Sequence, residues 1–132
     1  MLAITIICLG VKPRARIFKD DQGKVIPGSI ALLEELEING MKQWVSIRGR
    51  DKANPVLLWL HGGPGSTQMA FSHYLDGALE EEFVVVHWDQ RGAGKSNHSG
   101  FREETMTVQQ YKEDALVLIN YLLEKLGQEK IY

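Results

Sequence analysis

The sequence predicts an α/β fold: an N-terminal β-hairpin, then the first part of a mainly parallel sheet with helices on its faces. Three observations carry this. Asn39-Gly40 sits between two strand-like runs, and Asn-Gly suits a tight hairpin turn because both central residues must take positive φ. Two runs further on, Pro55–Leu60 and Glu82–Trp88, are apolar almost throughout, as expected of strands buried on both faces. Between and after them lie segments with helical spacing, and strands that alternate with helices pair in parallel.

The elements follow in order. Leu2–Val11 is nearly all apolar, with Lys12, Arg14 and Arg16 behind it. It is shorter than the about 20 residues that cross a bilayer, and a signal peptide would carry its charge before the apolar run. A strand or loosely packed terminus is expected, with the tail of a membrane anchor as the alternative. Residues 1–28 therefore read as an N-terminal extension and 29–132 as the domain. The compartment stays open: the cytoplasm is expected, and the apolar start leaves membrane anchoring or secretion as alternatives.

Asp20–Gly28 is rich in turn formers and reads as a loop. Ile30–Ile38 and Met41–Arg48 are the hairpin strands. In the second, Met41, Gln43, Val45 and Ile47 alternate with Lys42, Trp44, Ser46 and Arg48, the period of a two-faced strand. Gly49–Asn54 is a polar loop, Pro55–Leu60 a strand, and His61–Ser66 a glycine-rich loop. Thr67–Glu81 is expected to be helical, though its apolar spacing is only fair. Glu82–Trp88 is a second buried strand and Asp89–Gly100 a long loop. Thr107–Leu126 is the clearest helix: Val108, Tyr111, Ala115, Leu118, Ile119, Leu122 and Leu123 recur at three- and four-residue steps. Thr107 and Gln110 suit a capping box, and Gly127 suits the left-handed position after a helix. Lys130-Ile131-Tyr132 looks like the opening of another strand.

Composition excludes several function classes. The 132 residues are 44% apolar and 24% charged, which is globular and neither disordered nor collagenous. With 15 basic against 17 acidic residues and a net charge of -2, no basic excess invites nucleic acid. The single cysteine, Cys8, cannot close an internal disulfide, and no Cys/His spacing suits zinc. It is expected to be a small buried apolar residue.

The chemistry lies in two loops at the carboxyl ends of the apolar strands, where sheets of this class place ligands. The first is His61-Gly62-Gly63-Pro64-Gly65. Adjacent glycines let backbone N–H groups converge, as the oxyanion hole of an acyl-transfer enzyme requires. A tight strand-to-helix turn without a ligand is the plainer alternative. The second is Asp89-Gln90-Arg91-Gly92-Ala93-Gly94-Lys95-Ser96. Its end resembles a phosphate-binding loop, G-x-x-x-x-G-K-[ST]. That pattern needs glycine at position 89, where Asp89 would face phosphate with a carboxylate, so nucleotide binding is rejected.

HGGPG after one buried strand and DQRGAGKS after the next together resemble the proline-iminopeptidase branch of the α/β-hydrolases, over residues 41–132. The resemblance implies a serine hydrolase that releases N-terminal proline from short peptides, or acts on a related peptide, amide or ester. It makes Gly63 N–H the first choice of oxyanion donor and Gly62 its neighbour. It places His61, Pro64, Gly65, Asp89, Gln90, Arg91 and Gly92 in the active-site loops, outside the triad. It implies no metal and no organic cofactor.

The triad itself is missing from the sequence. The nucleophile should sit in G-x-S-x-G. Only Ser96 has glycine two residues before it, and His98 stands two after; Ser66 has Pro64 in the earlier position. The family places nucleophile, acid and histidine beyond the strand that opens at Lys130. The chain is thus expected to be an N-terminal part of the domain and inactive alone. The other reading is a non-catalytic half-domain that self-associates or binds a partner through an exposed sheet edge. Of the four histidines, His61 is expected to be structural, His73 a surface or packing residue, His87 a hydrogen-bonded core residue and His98 solvated. Trp44, Trp59 and Trp88 are expected in the core, and Glu34, Glu35 and Glu37 on a solvated face.

Overall fold

A computed structural model describes residues 13–63 and 65–132. The expectations for Leu2–Val11 and Cys8 lie outside the described residues. Two long strands, β1 (Ile30–Ile38) and β2 (Met41–Gly49), form the hairpin. Strand β3 (Val56–Trp59) follows, then two short helices, α1 (Ser72–Leu75) and α2 (Leu79–Glu82), and strand β4 (Val84–Asp89). Single 3₁₀ turns at Gly94–Ser96 and Glu103–Thr105 lead to the long helix α3 (Val108–Leu126).

The hairpin turn is the one Asn-Gly dictates: φ is 46° at Asn39 and 74° at Gly40, and Ile38 pairs with Met41. The four strands run in the order β1-β2-β4-β3. β1–β2 and β2–β4 are antiparallel, while β3–β4 is parallel. The sheet is therefore mixed, and its parallel character begins where the chain first crosses over. It extends at the far edge, where Ile131 forms a parallel bridge to Val56. There Tyr132 N–H donates to the Val56 carbonyl at 2.9 Å and Leu58 N–H to the Tyr132 carbonyl at 2.8 Å. Of the strand expected to open at Lys130, the structure shows this single bridge at Ile131, with Lys130 outside it.

One face of this sheet holds the core. Side chains alternate across a strand, so Val45, Ile47, Val84 and Val86 share a face, and all are fully buried. α3 covers them with Leu118 and Leu122, also fully buried. Burying each such side chain stabilises by roughly 1.5–3 kcal/mol. The ends of α3 are those read from the sequence: Thr107 accepts from Gln110 N–H at 3.1 Å, and Gly127 takes φ 62°.

The opposite face is more polar. Arg48 meets the buried Glu80 of α2 at 2.6 Å, lies 4.5 Å from the centre of the Phe18 ring and donates to the Arg16 carbonyl. His87 on β4 and Asp76 after α1 form a buried pair, 2.6 Å apart.

Four expectations are corrected. The single helix over Thr67–Glu81 is instead two four-residue helices. Neither has a capping side chain, Gly77 falls between them, and the Thr67 hydroxyl is taken up by Asp89 and Met69 N–H. The strands also move by a residue or two. Pro55 cannot donate to a ladder and Leu60 leaves the sheet at 58% exposed, while Glu82 closes α2 and Asp89 joins β4 opposite Trp44. Trp88 is buried, but Trp44 is half-buried and Trp59 is 40% exposed. Trp59 sits on the polar face beside His87, where no long helix of the described residues covers it. Glu34 is not on a solvated face: it is half-buried against α3 and accepts from Tyr121 Oη at 2.7 Å and Lys125 Nζ at 3.0 Å.

Candidate active site

Strands β3 and β4 are parallel neighbours, so their carboxyl ends lie side by side. Each ends in one of the two loops singled out from the sequence. The loops are tied together by a reciprocal pair of hydrogen bonds. Gln90 N–H donates to His61 Nε2 at 3.2 Å, and Gln90 Nε2 donates to the His61 carbonyl at 3.1 Å. A ring nitrogen that accepts carries no proton, so the neutral His61 bears its hydrogen on Nδ1. That atom faces the Gly62 carbonyl at 3.3 Å. His61 is buried, and both its ring nitrogens have partners within the two loops.

Beyond His61 the chain turns at Gly63, with φ 54°, and Gly65, with φ 88°. Ser66 N–H closes the turn on the Gly63 carbonyl at 2.8 Å. Gly62 and Gly63 are exposed, and among the described residues neither N–H has a hydrogen-bond partner. A Cβ at Gly63 would meet Ser66 Cβ at 3.7 Å, an ordinary contact. Its glycine requirement is thus conformational, not steric. Pro64 lies outside the described residues.

The second loop is held from within by Asp89, 2% exposed. One carboxylate oxygen accepts from the Thr67 hydroxyl, the other from Lys95 N–H at 2.8 Å. A Cβ at Gly94 would collide with this carboxylate. The acid that spoils the phosphate-loop pattern is therefore the internal brace of the loop. Ser96 is fully buried, its hydroxyl donating to the Asp89 carbonyl and accepting from Trp44 N–H at 2.9 Å. A hydroxyl so occupied is no nucleophile. Gly92, with φ 75°, packs against the Phe101 ring, leaving no room for a Cβ.

Arg91 turns inward. Its guanidinium grips Asp114 of α3 with two hydrogen bonds, 2.9 Å from Nε and 3.1 Å from Nη2. Asp114 is completely buried and also accepts from Asn39 at 2.8 Å, Gln43 at 2.9 Å and Gln110 at 2.9 Å. Burial alone would raise its pKa. The hydrogen bonds from Arg91, Asn39, Gln43 and Gln110 outweigh it and hold the carboxyl below its ordinary 3.8. Tyr111 Oη donates to the Arg91 carbonyl at 3.1 Å. Hairpin turn, second loop and long helix thus meet on one carboxylate.

The remaining histidines stand apart. His87 pairs only with Asp76, and no hydroxyl or thiol among the described residues bonds to its ring. His73 is exposed, its ring tilted 42° to that of Tyr74 with centroids 3.9 Å apart, and His98 is exposed. Among the described residues no three His, Cys, Asp or Glu side chains gather to hold a metal. The structure therefore brings His61, Gly62, Gly63 and Gly65 together with Asp89 and Gln90. It sets Arg91 beneath them as a support. Asp114 was not singled out from the sequence, yet its signal was there. It is the one acid on the buried stripe of α3, three residues after Tyr111 and four before Leu118, where only a paired carboxylate survives.

A four-stranded mixed sheet, an N–H-bearing glycine turn after one strand and a braced loop after its parallel neighbour define an α/β-hydrolase frame. The chain belongs to the alpha/beta hydrolase fold family, whose domain matches residues 55–132. It is 40% identical over 104 residues to the "Probable aminopeptidase YbaC" of Bacillus subtilis (strain 168), covering 79% of this chain and 33% of that protein. It is 36% identical over 63 residues to a proline iminopeptidase of Lactiplantibacillus plantarum, covering 47% of this chain and 22% of the other. The solved proline iminopeptidase-related protein of Thermus thermophilus superposes with a TM-score of 0.63 at 31% identity, over 77% of this chain and 34% of its own. The chain thus spans about a third or less of the relatives it matches.

Proposed function

We propose that these residues supply the oxyanion loop of a serine hydrolase that removes N-terminal proline from short peptides or cleaves a related peptide, amide or ester. The observation that carries this reading is the pair of N–H groups at Gly62 and Gly63, without a hydrogen-bond partner among the described residues, on a turn held by the His61–Gln90 bonds. In acyl transfer, negative charge develops on the carbonyl oxygen, and preset N–H donors stabilise it more than they stabilise the substrate. Gly63 N–H is the first donor in this assignment. A serine outside these residues would be the nucleophile, activated by a histidine that an acid orients. The aminopeptidase and iminopeptidase names of the relatives support the choice of substrate class.

The test is hydrolysis of prolyl-β-naphthylamide by the 132-residue chain and by a polypeptide carrying these residues together with a G-x-S-x-G serine. The chain alone is expected to be inactive. In the longer polypeptide, Gly63→Ala should move the N–H and lower kcat by about 10²-fold with little change in KM. Turnover by the chain alone, or an unchanged kcat in the variant, counts against the assignment.

One observation favours a second reading, a half-domain that acts by association. Leu60, Phe71, Tyr74 and Leu75 are between 58% and 79% exposed, and exposed apolar surface mediates self-association or partner binding. Sedimentation of the chain distinguishes the two: a concentration-dependent dimer supports association, and a monomer at high concentration removes its basis.

A further inference from the structure

The polar face of the sheet carries a feature that the hydrolase reading does not use. A cavity of about 600 Å³ opens between β1, β2, the start of the described chain and the segment before α1. Its volume lies within the range of small-molecule sites, about 300–1,000 Å³. Leu33, Met69, Ala70 and Ala15 give it apolar walls. Arg14, Arg16 and Lys95 bring three cationic side chains to its lining, all on exposed residues. Among the described residues none of the three meets a carboxylate.

Two further details narrow the chemistry. The one acid in the lining is Asp89, and both its oxygens are already satisfied, by the Thr67 hydroxyl and Lys95 N–H. The other lining cation, Arg48, is neutralised by Glu80. Inside the cavity lies Ser46, a polar residue only 5% exposed. It adds a polar residue to the lining between the apolar walls and the cations.

We propose that this cavity binds a small amphipathic carboxylate, its apolar body against Leu33, Met69 and Ala70, its head held by Arg14, Arg16 and Lys95. Guanidinium groups match carboxylates in shape and charge. The inference stands independently of the oxyanion assignment, since it uses neither Gly62 nor Gly63. A free acid and the C-terminus of an apolar peptide present the same chemistry, so both are tested.

The experiment is isothermal titration of the 132-residue chain with octanoate, with octanol as the uncharged control, and with acetyl-leucyl-leucine against its amide. At least one acid should bind saturably and at least tenfold more tightly than its neutral counterpart. The tighter of the two acids assigns the source. Arg14→Gln, Arg16→Gln and Lys95→Gln combined should weaken it at least tenfold, and Met69→Trp, which fills the cavity, should abolish binding. Circular dichroism melting confirms that each variant is folded; the three cations are at the surface, so their removal leaves the core intact. Equal binding of acid and neutral control, no saturable binding of either acid, or an unchanged affinity in the triple variant overturns the proposal.

Discussion

Asp114 is the residue on which the second loop depends. It is buried, charged and gripped by a bidentate arginine and three amides. Removing one partner of a buried ion pair strands the other, at about 3–5 kcal/mol. Asp114→Ala should therefore destabilise by that amount, read as a shift in the urea midpoint. The sign of the pH effect follows from its lowered pKa. A carboxyl whose folded pKa lies below its unfolded value binds fewer protons when folded, so it stabilises above the unfolded value. This contribution is present above about pH 4 and is lost as pH falls through the folded pKa. Asp114→Asn should flatten the acid limb of a stability–pH curve, while an unchanged limb would assign acid unfolding to other groups. The sequence displayed Arg91 as a loop residue but not its direction. Which way an arginine turns depends on a partner 23 positions away on another element, and no local pattern encodes that.

At the scale of elements, legibility tracked the strength of local signals. α3 was readable at both ends because periodicity, N-cap and αL glycine agree on the same boundaries. Thr107→Ala should cost about 1 kcal/mol through the lost cap, and Leu122→Ala about 2–5 kcal/mol through the cavity left against the sheet; thermal melts check both. The hairpin was readable because Asn39-Gly40 leaves one turn geometry. The stretch after Ser66 was not. Its apolar residues Phe71, Tyr74 and Leu75 face outward, so no buried stripe imposed a helix. Its polar residues are committed to tertiary partners instead: Thr67 to Asp89, Asp76 to His87, Glu80 to Arg48. Those contacts fix two isolated turns of helix where a continuous one was expected.

At the scale of the whole molecule, the two loops were legible as a pair in the sequence alone, because each follows an apolar run and the runs become neighbours β3 and β4. The order of strands was not, since β4 inserts between β2 and β3 only through a crossover. Trp59 shows the same gap: nothing in VLLW distinguishes a residue on the covered face from one on the open face. One measurement tests the proposed hydrolase function directly. A fluorophosphonate, which labels activated serines, is applied to the native polypeptide that carries these residues, and the adduct is mapped by mass spectrometry. The label is expected on a serine in a G-x-S-x-G turn outside residues 1–132, with the 132-residue chain itself unlabelled. A label on Ser46, Ser66, Ser72 or Ser96, or no label on the native polypeptide, would contradict it.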